Sequence, residues 1–160
     1  MKPIVLIGTG STCNKYHWSN AVYDVYLSNM AWRSYYGPYK YVVVADEHWD
    51  YVNDKMKKAK GKNKERLDLY QPELIRIDEE FVHKYETIRT GSFQAFFHMM
   101  LITNVNRKFI IQGIDYDDRS RNWDRYARHM NREILRARPN GNKIYTTSGN
   151  RSRLVNDGYI

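Results

Sequence analysis

At 160 residues, with 42% hydrophobic and 14% aromatic content, the chain holds enough apolar material for one packed domain and too much for a disordered one. No window approaches the roughly 20 apolar residues that span a bilayer, and the apolar core of the opening residues 1–8 is too short for a signal peptide. A formal charge of +8 and a pI near 9.5 favour an anionic partner, while the lone Cys13 excludes an internal disulfide and fits a reducing cytoplasm.

In chain order, residues 3–7 read as a buried strand, and Gly8, Thr9, Gly10, Ser11 and Thr12 as the tight loop after it. A short helix is expected over residues 14–21. Residues 23–27 form a second strand ending at Ser28 and Asn29. A helical segment over 30–36 then stops at Gly37-Pro38. Residues 41–45 are a third strand running into Asp46, Glu47 and His48, and a helix is expected over 50–60. Within the basic run 55–66, Gly61 and Asn63 indicate a helix end followed by a solvated loop. Residues 74–77 are a fourth strand.

Thr90, Gly91 and Ser92 then open an apolar segment containing Phe93, Ala95, Phe96, Phe97, Met99, Met100, Leu101 and Ile102, which reads as a buried helix. A helix starting there would aim backbone N–H groups and its positive dipole end at a ligand. Residues 108–112 suit a central parallel strand, ending in Gly113, Ile114 and Asp115. Arg121, Arg125, Arg128, Arg132 and Arg136 recur at helical spacing, opposite Trp123, Tyr126, Ala127, Met130, Ile134 and Ala137. That arginine stripe reads either as a phosphate contact or as a solvated outer face. After a turn at 139–142, residues 143–147 are the sixth strand. Short apolar strands alternating with helices predict a single Rossmann-like α/β domain over 1–160, a mostly parallel sheet of about six strands covered on both faces. Its ligand crevice belongs outside the carboxyl ends of the strands.

The chemistry-bearing residues fall on those ends. Gly8, Thr9, Gly10, Ser11 and Thr12 can cradle a phosphate, although the third glycine of a dinucleotide fingerprint and the lysine of a P-loop are absent; a plain turn reads as well. Asn29 can hydrogen-bond a ribose or base, and is also a common turn residue. Asp46, Glu47 and His48 form an acid/base cluster able to position a hydroxyl, bind a cation, act as a base or cap the next helix. Asp115, Asp117 and Asp118 suit a metal or the N-terminus of the arginine-striped helix equally. His17, His83, His98 and His129 lack metal-binding spacing, and His98 reads as a hydrogen-bonded core residue.

The order of these blocks resembles the Rossmann-like bacterial sialyltransferases and the related small domains near lipopolysaccharide and pterin pyrophosphokinase enzymes. The matching residues are Gly8 to Thr12, Asn29, Thr90-Gly91, Gly113-Ile114-Asp115 and Thr147-Ser148, with Thr9 and Ser11 standing where that family has Asn and Pro. The resemblance implies that the first loop and Asn29 contact a nucleotide. The expected function is a glycosyltransferase-like enzyme that binds a nucleotide-activated sugar. In it Gly8, Thr9, Gly10, Ser11, Thr12, Asn29, Thr90, Gly91, Ser92 and Asp115 hold the donor, and Asp46 or His48 serves the acceptor. The donor is a substrate and no resident cofactor or metal is assigned, with divalent-cation dependence open. The alternatives are a noncatalytic nucleotide-binding or sequestering protein, and a basic nucleic-acid-binding protein using the arginine stripe, the lysine run and some of the 14 tyrosines.

Overall fold

The computed structural model describes residues 1–84, 92–114, 123–149 and 152–160. The short apolar runs become six strands: β1 (Ile4–Ile7), β2 (Asp24–Ser28), β3 (Tyr41–Ala45), β4 (Glu73–Ile77), β5 (Lys108–Gln112) and β6 (Lys143–Thr146). They form one sheet in the order β4-β3-β2-β1-β5-β6, and every neighbouring pair is parallel. The helices are α1 (Trp49–Lys57), α2 (Gly61–Tyr70), α3 (Glu79–Lys84), α4 (Ser92–Thr103) and α5 (Trp123–Ala137), with short 3-10 turns at Asn29–Arg33, Asp46–His48 and Arg138–Asn140. The Rossmann-like α/β architecture expected from the alternating pattern is the one observed. No helix among the described residues is long and apolar enough to cross a membrane.

Because strand side chains alternate, β1 feeds two cores. Ile4 and Leu6 pack with Phe96, Phe97, Met100 and Leu101 of α4 and Met130 and Ile134 of α5. Val5 and Ile7 face the opposite side and pack with Trp18, Trp32, Tyr35, Tyr39 and Val52. The connections between β1 and β4 cover this second face, whereas α4 and α5 cover the first. That division is what right-handed crossovers require when the chain runs outward from β1 to β4, then returns to the other side of β1 for β5 and β6. Several tyrosines are core residues: Tyr35 and Tyr39 are fully buried, and Tyr26 stacks on Tyr41 with ring centroids 4.3 Å apart.

Three local expectations are corrected. No helix forms over residues 14–21, because side chains from elsewhere claim that backbone: the Trp18 N–H donates to the Tyr35 hydroxyl at 2.8 Å, and the Cys13 and Tyr16 carbonyls accept from Gln112. After β2 the helical segment is a 3-10 turn confined to Asn29–Arg33. The stretch from Gly61, expected as a solvated loop, is instead the ten-residue helix α2, preceded by an α1 that ends at Lys57. Gly61 takes a φ of +61°, which lets the chain reverse between the two helices. With no fully buried residue, α2 carries no apolar stripe for sequence inspection to find. The unforeseen α3 is capped by Asp78, whose Oδ1 accepts the Phe81 N–H at 2.9 Å.

Candidate functional site

The strand order reverses between β1 and β5, so the switch point lies where the loops after these strands separate. Register sets the levels along this edge. Ile7 is paired with Leu27 on one side and Gln112 on the other, so one residue further Gly8 stands level with Ser28 and Gly113. Ser28 is level with Val43, so β3 continues two residues beyond the β1–β2 floor before Asp46 begins its turn. At about 3.3 Å per residue and about 4.8 Å per strand, Asp46 lies roughly 10 Å above and roughly 10 Å to the side of Gly8. The edge is therefore stepped, with Gly8, Ser28 and Gly113 as floor and the ends of β3 and β4 as wall.

The β1–β5 side of this floor is stitched together by the chain itself. The Gly8 N–H donates to the Gln112 carbonyl at 2.9 Å and the Gly10 N–H to the Gly113 carbonyl at 2.7 Å. A Cβ on Gly8 would stand 2.7 Å from Ile114 Cγ1 and 2.8 Å from the Gly113 oxygen. Gly113 has a φ of +71°, and its Cβ would lie 2.6 Å from the Gly8 oxygen. The close approach of two loops therefore requires both glycines, and two of the loop's N–H groups are already used. Beyond Gly10 the loop crosses the end of β5 and reaches β6: Thr12 Oγ1 lies 3.5 Å from Ser148 Oγ, and Lys15 Nζ donates to the Thr147 carbonyl at 2.5 Å. Thr9 and Ser11 are exposed on its outer side, with Thr12 half-buried.

Gln112 holds this loop from beneath. Its side chain is fully buried; Nε2 donates to the Cys13 carbonyl at 2.7 Å and the Tyr16 carbonyl at 2.8 Å, and Oε1 accepts the Trp18 indole N–H at 3.1 Å. Sequence inspection read Gln112 as the end of an apolar run and missed this role. Its polarity at a position otherwise filled by Phe109, Ile110 and Ile111 was the available signal, since a polar side chain there must find partners.

On the β2 side, Asn29 begins the 3-10 turn with a φ of +56°. Its Oδ1 is buried and has no hydrogen-bond partner among the described residues. Burying an amide oxygen without a partner costs about 1–3 kcal/mol, so a donor supplied there would be strongly held. On the wall, Asp46 pairs with Arg76 of β4, and His48 Nε2 lies 3.4 Å from Glu47 Oε1. His48 occupies the N-cap position of α1 without a side-chain cap hydrogen bond, so α1 is not the partner of this cluster.

The edge thus brings together Gly8, Thr9, Gly10, Ser11, Thr12 and Asn29, with Asp46 and His48 raised on its wall and Thr147-Ser148 on its far side. Thr90, Gly91 and Asp115 lie outside the described residues; Ser92 is the first residue of α4. Among the described residues no group of three or more His, Cys, Asp or Glu side chains gathers as a metal site. His98 is a core residue: on α4 it pairs through Nδ1 with the buried Glu133 carboxylate of α5. In the arginine stripe, Arg128, Arg132 and Arg136 are exposed, while Arg121 lies outside the described residues. In comparisons with family models, curated proteins and solved structures, nothing matches this chain.

Proposed function

We propose that the protein binds a nucleotide-activated sugar across the stepped edge and transfers the sugar to an acceptor hydroxyl. The unpartnered Asn29 Oδ1 carries this reading: a nucleobase amine or ribose hydroxyl is the donor it lacks, in the position where parallel α/β sheets take nucleotides. Thr9, Ser11 and Thr12 offer hydroxyls to phosphate oxygens on the adjoining floor. The separation of roughly 14 Å from the floor at Gly8 to Asp46, with His48 in the same turn, suits an extended ligand, its nucleotide on the floor and its sugar at the wall. In the transfer the acceptor oxygen bonds to the anomeric carbon as the bond from that carbon to the phosphate oxygen breaks. The leaving nucleotide keeps the electron pair. His48, whose Nε2 lies 3.4 Å from Glu47 Oε1, takes the acceptor proton. Asp46, held by Arg76, orients the acceptor.

The test is a thermal-shift screen of nucleotides and nucleotide sugars. A ligand at about 100 times its Kd adds about 2.7 kcal/mol of stability. For a chain of this size that raises Tm by roughly 5–10 °C. Asn29→Gly, which accepts a φ of +56° without steric cost, is expected to keep the Tm of the free protein and to abolish the shift. A screen in which no member raises Tm contradicts the proposal. A second reading, nucleotide binding without transfer, is favoured by the commitment of Asp46 to Arg76. Release of free nucleotide from the stabilising donor on adding acceptor separates the two.

A further inference from the structure

A second feature lies away from the sheet edge, on the face of the Trp32–Tyr39 core. Between the segment after β2 and the start of α2 is a cavity of about 610 Å³ lined by Arg33, Tyr36, Lys60, Lys62, Asn63 and Arg66. Four of the six are cations and none is acidic. Two nearby lysines are neutralised one turn away, Lys58 by Asp54 at 3.1 Å and Lys64 by Asp68 at 3.2 Å. Arg33, Lys60, Lys62 and Arg66 have no carboxylate partner among the described residues. The first turn of α2 also contains no acid, and Lys62 stands in it. A cation at that end opposes the helix dipole, an arrangement that a bound anion would relieve.

The aromatic component is Tyr36, which is 58% exposed and carries the Arg66 guanidinium over its ring at 4.8 Å. Arg66 is fixed there by donating to Asn63 Oδ1 at 2.5 Å, and its Nε is buried without a hydrogen-bond partner among the described residues. A second pair of this kind lies on α1, where Lys55 Nζ is 5.5 Å from the centre of the half-exposed Tyr51 ring. A single phosphate would fill only a small part of this space, since cavities of about 300–1,000 Å³ hold whole drug-sized ligands. Cations converging from two chain segments beside an exposed ring match the combination that single strands use, phosphates in a basic groove and bases stacked on aromatics.

We propose that this groove binds single-stranded nucleic acid, with Arg33, Lys60 and Lys62 on successive phosphodiesters and Tyr36 as a stacking platform. The proposal is independent of the crevice: Asn29→Gly is expected to leave it intact. The test is fluorescence anisotropy of a short labelled oligothymidylate over a series of salt concentrations. The combined Arg33→Gln, Lys60→Gln, Lys62→Gln variant is expected to bind at least tenfold more weakly. Its salt slope should fall by about 2, at about 0.7 per lost phosphate contact. Tyr36→Ala is expected to weaken binding several-fold with the slope unchanged. Arg128→Gln, Arg132→Gln, Arg136→Gln on α5 removes equal charge from the opposite face and is expected to change affinity less than twofold. Wild-type protein that fails to bind at low salt overturns the proposal, as do equal losses in the two triple variants. Inorganic pyrophosphate competing as tightly as the oligonucleotide also overturns it, because the site is then one for a small anion. Thermal melts of all variants establish that each remains folded.

Discussion

Replacing Gln112 with Leu tests how the first loop is held. The substitution removes both donors that Nε2 supplies to Cys13 and Tyr16 and the acceptor that Oε1 supplies to Trp18. Leucine fills much of the same volume, so the loss is mainly that of polar partners. The Trp18 indole N–H and the Cys13 carbonyl bond to Gln112 in buried surroundings, and each left unsatisfied costs about 1–3 kcal/mol. The Tyr16 carbonyl is only partly buried and can recover a bond to water, so its loss counts about 0.5 kcal/mol. The expected cost is therefore roughly 4 kcal/mol, a large share of the roughly 5–15 kcal/mol that stabilises a domain. Urea unfolding followed by tryptophan fluorescence measures it, and Trp18 itself should become more solvent-exposed before the global transition. A cost below about 1 kcal/mol would mean that water satisfies all three groups and that Gln112 does not hold the loop.

The buried His98–Glu133 pair behaves differently from a surface ion pair. His98→Leu leaves the buried Glu133 carboxylate with the half-exposed Arg136, 3.5 Å away, as its remaining cation and is expected to cost about 3 kcal/mol, and adding Glu133→Leu is expected to recover most of that loss in urea midpoints. The tyrosines set an alkaline limit. Burial pushes Tyr26, Tyr35 and Tyr39 up from 10 to about 12, with the neighbouring Tyr41 and Asp24 adding to the effect at Tyr26. The unfolded chain ionises first, so their contribution is fully present below pH 10 and is lost as pH rises through about 12. A urea midpoint that stays constant across that window would contradict the burial of these hydroxyls.

The sheet was legible because its signal is local. Residues 41–45 and 108–112 are β-branched or apolar runs bounded by charged and turn residues, and both strands begin and end as expected. Helix α5 was legible for a similar reason, since Ala127, Met130 and Ile134 fall inside while Arg128, Arg132 and Arg136 fall outside. Residues 14–21 were misread because their conformation is dictated by Gln112 and Tyr35, partners distant in sequence that propensity does not register. Helix α2 was missed because packing holds only Leu67 and Tyr70 partly against the core, leaving little periodicity. At the site, Gly8 was read for what a phosphate would need, and Gly113 as the end of a strand. In the structure each is required by the other's loop, a constraint that exists only once β1 and β5 are side by side. The basic groove was invisible for the same reason: Arg33 and Tyr36 meet Lys60, Lys62 and Arg66 only after β2 and β3 are paired.

NMR titration of the isotope-labelled protein with the nucleotide sugar that stabilises it best decides whether a nucleotide sits at the stepped edge. With the nucleotide seated there, the amide signals of Thr9, Ser11, Thr12 and Gly113 and the Asn29 side-chain amide shift together and saturate with one affinity. The Asn29→Gly protein should show none of these shifts. Shifts confined to Arg33, Tyr36 and the first turn of α2, with the strand ends unmoved, would mean that no nucleotide binds at the edge.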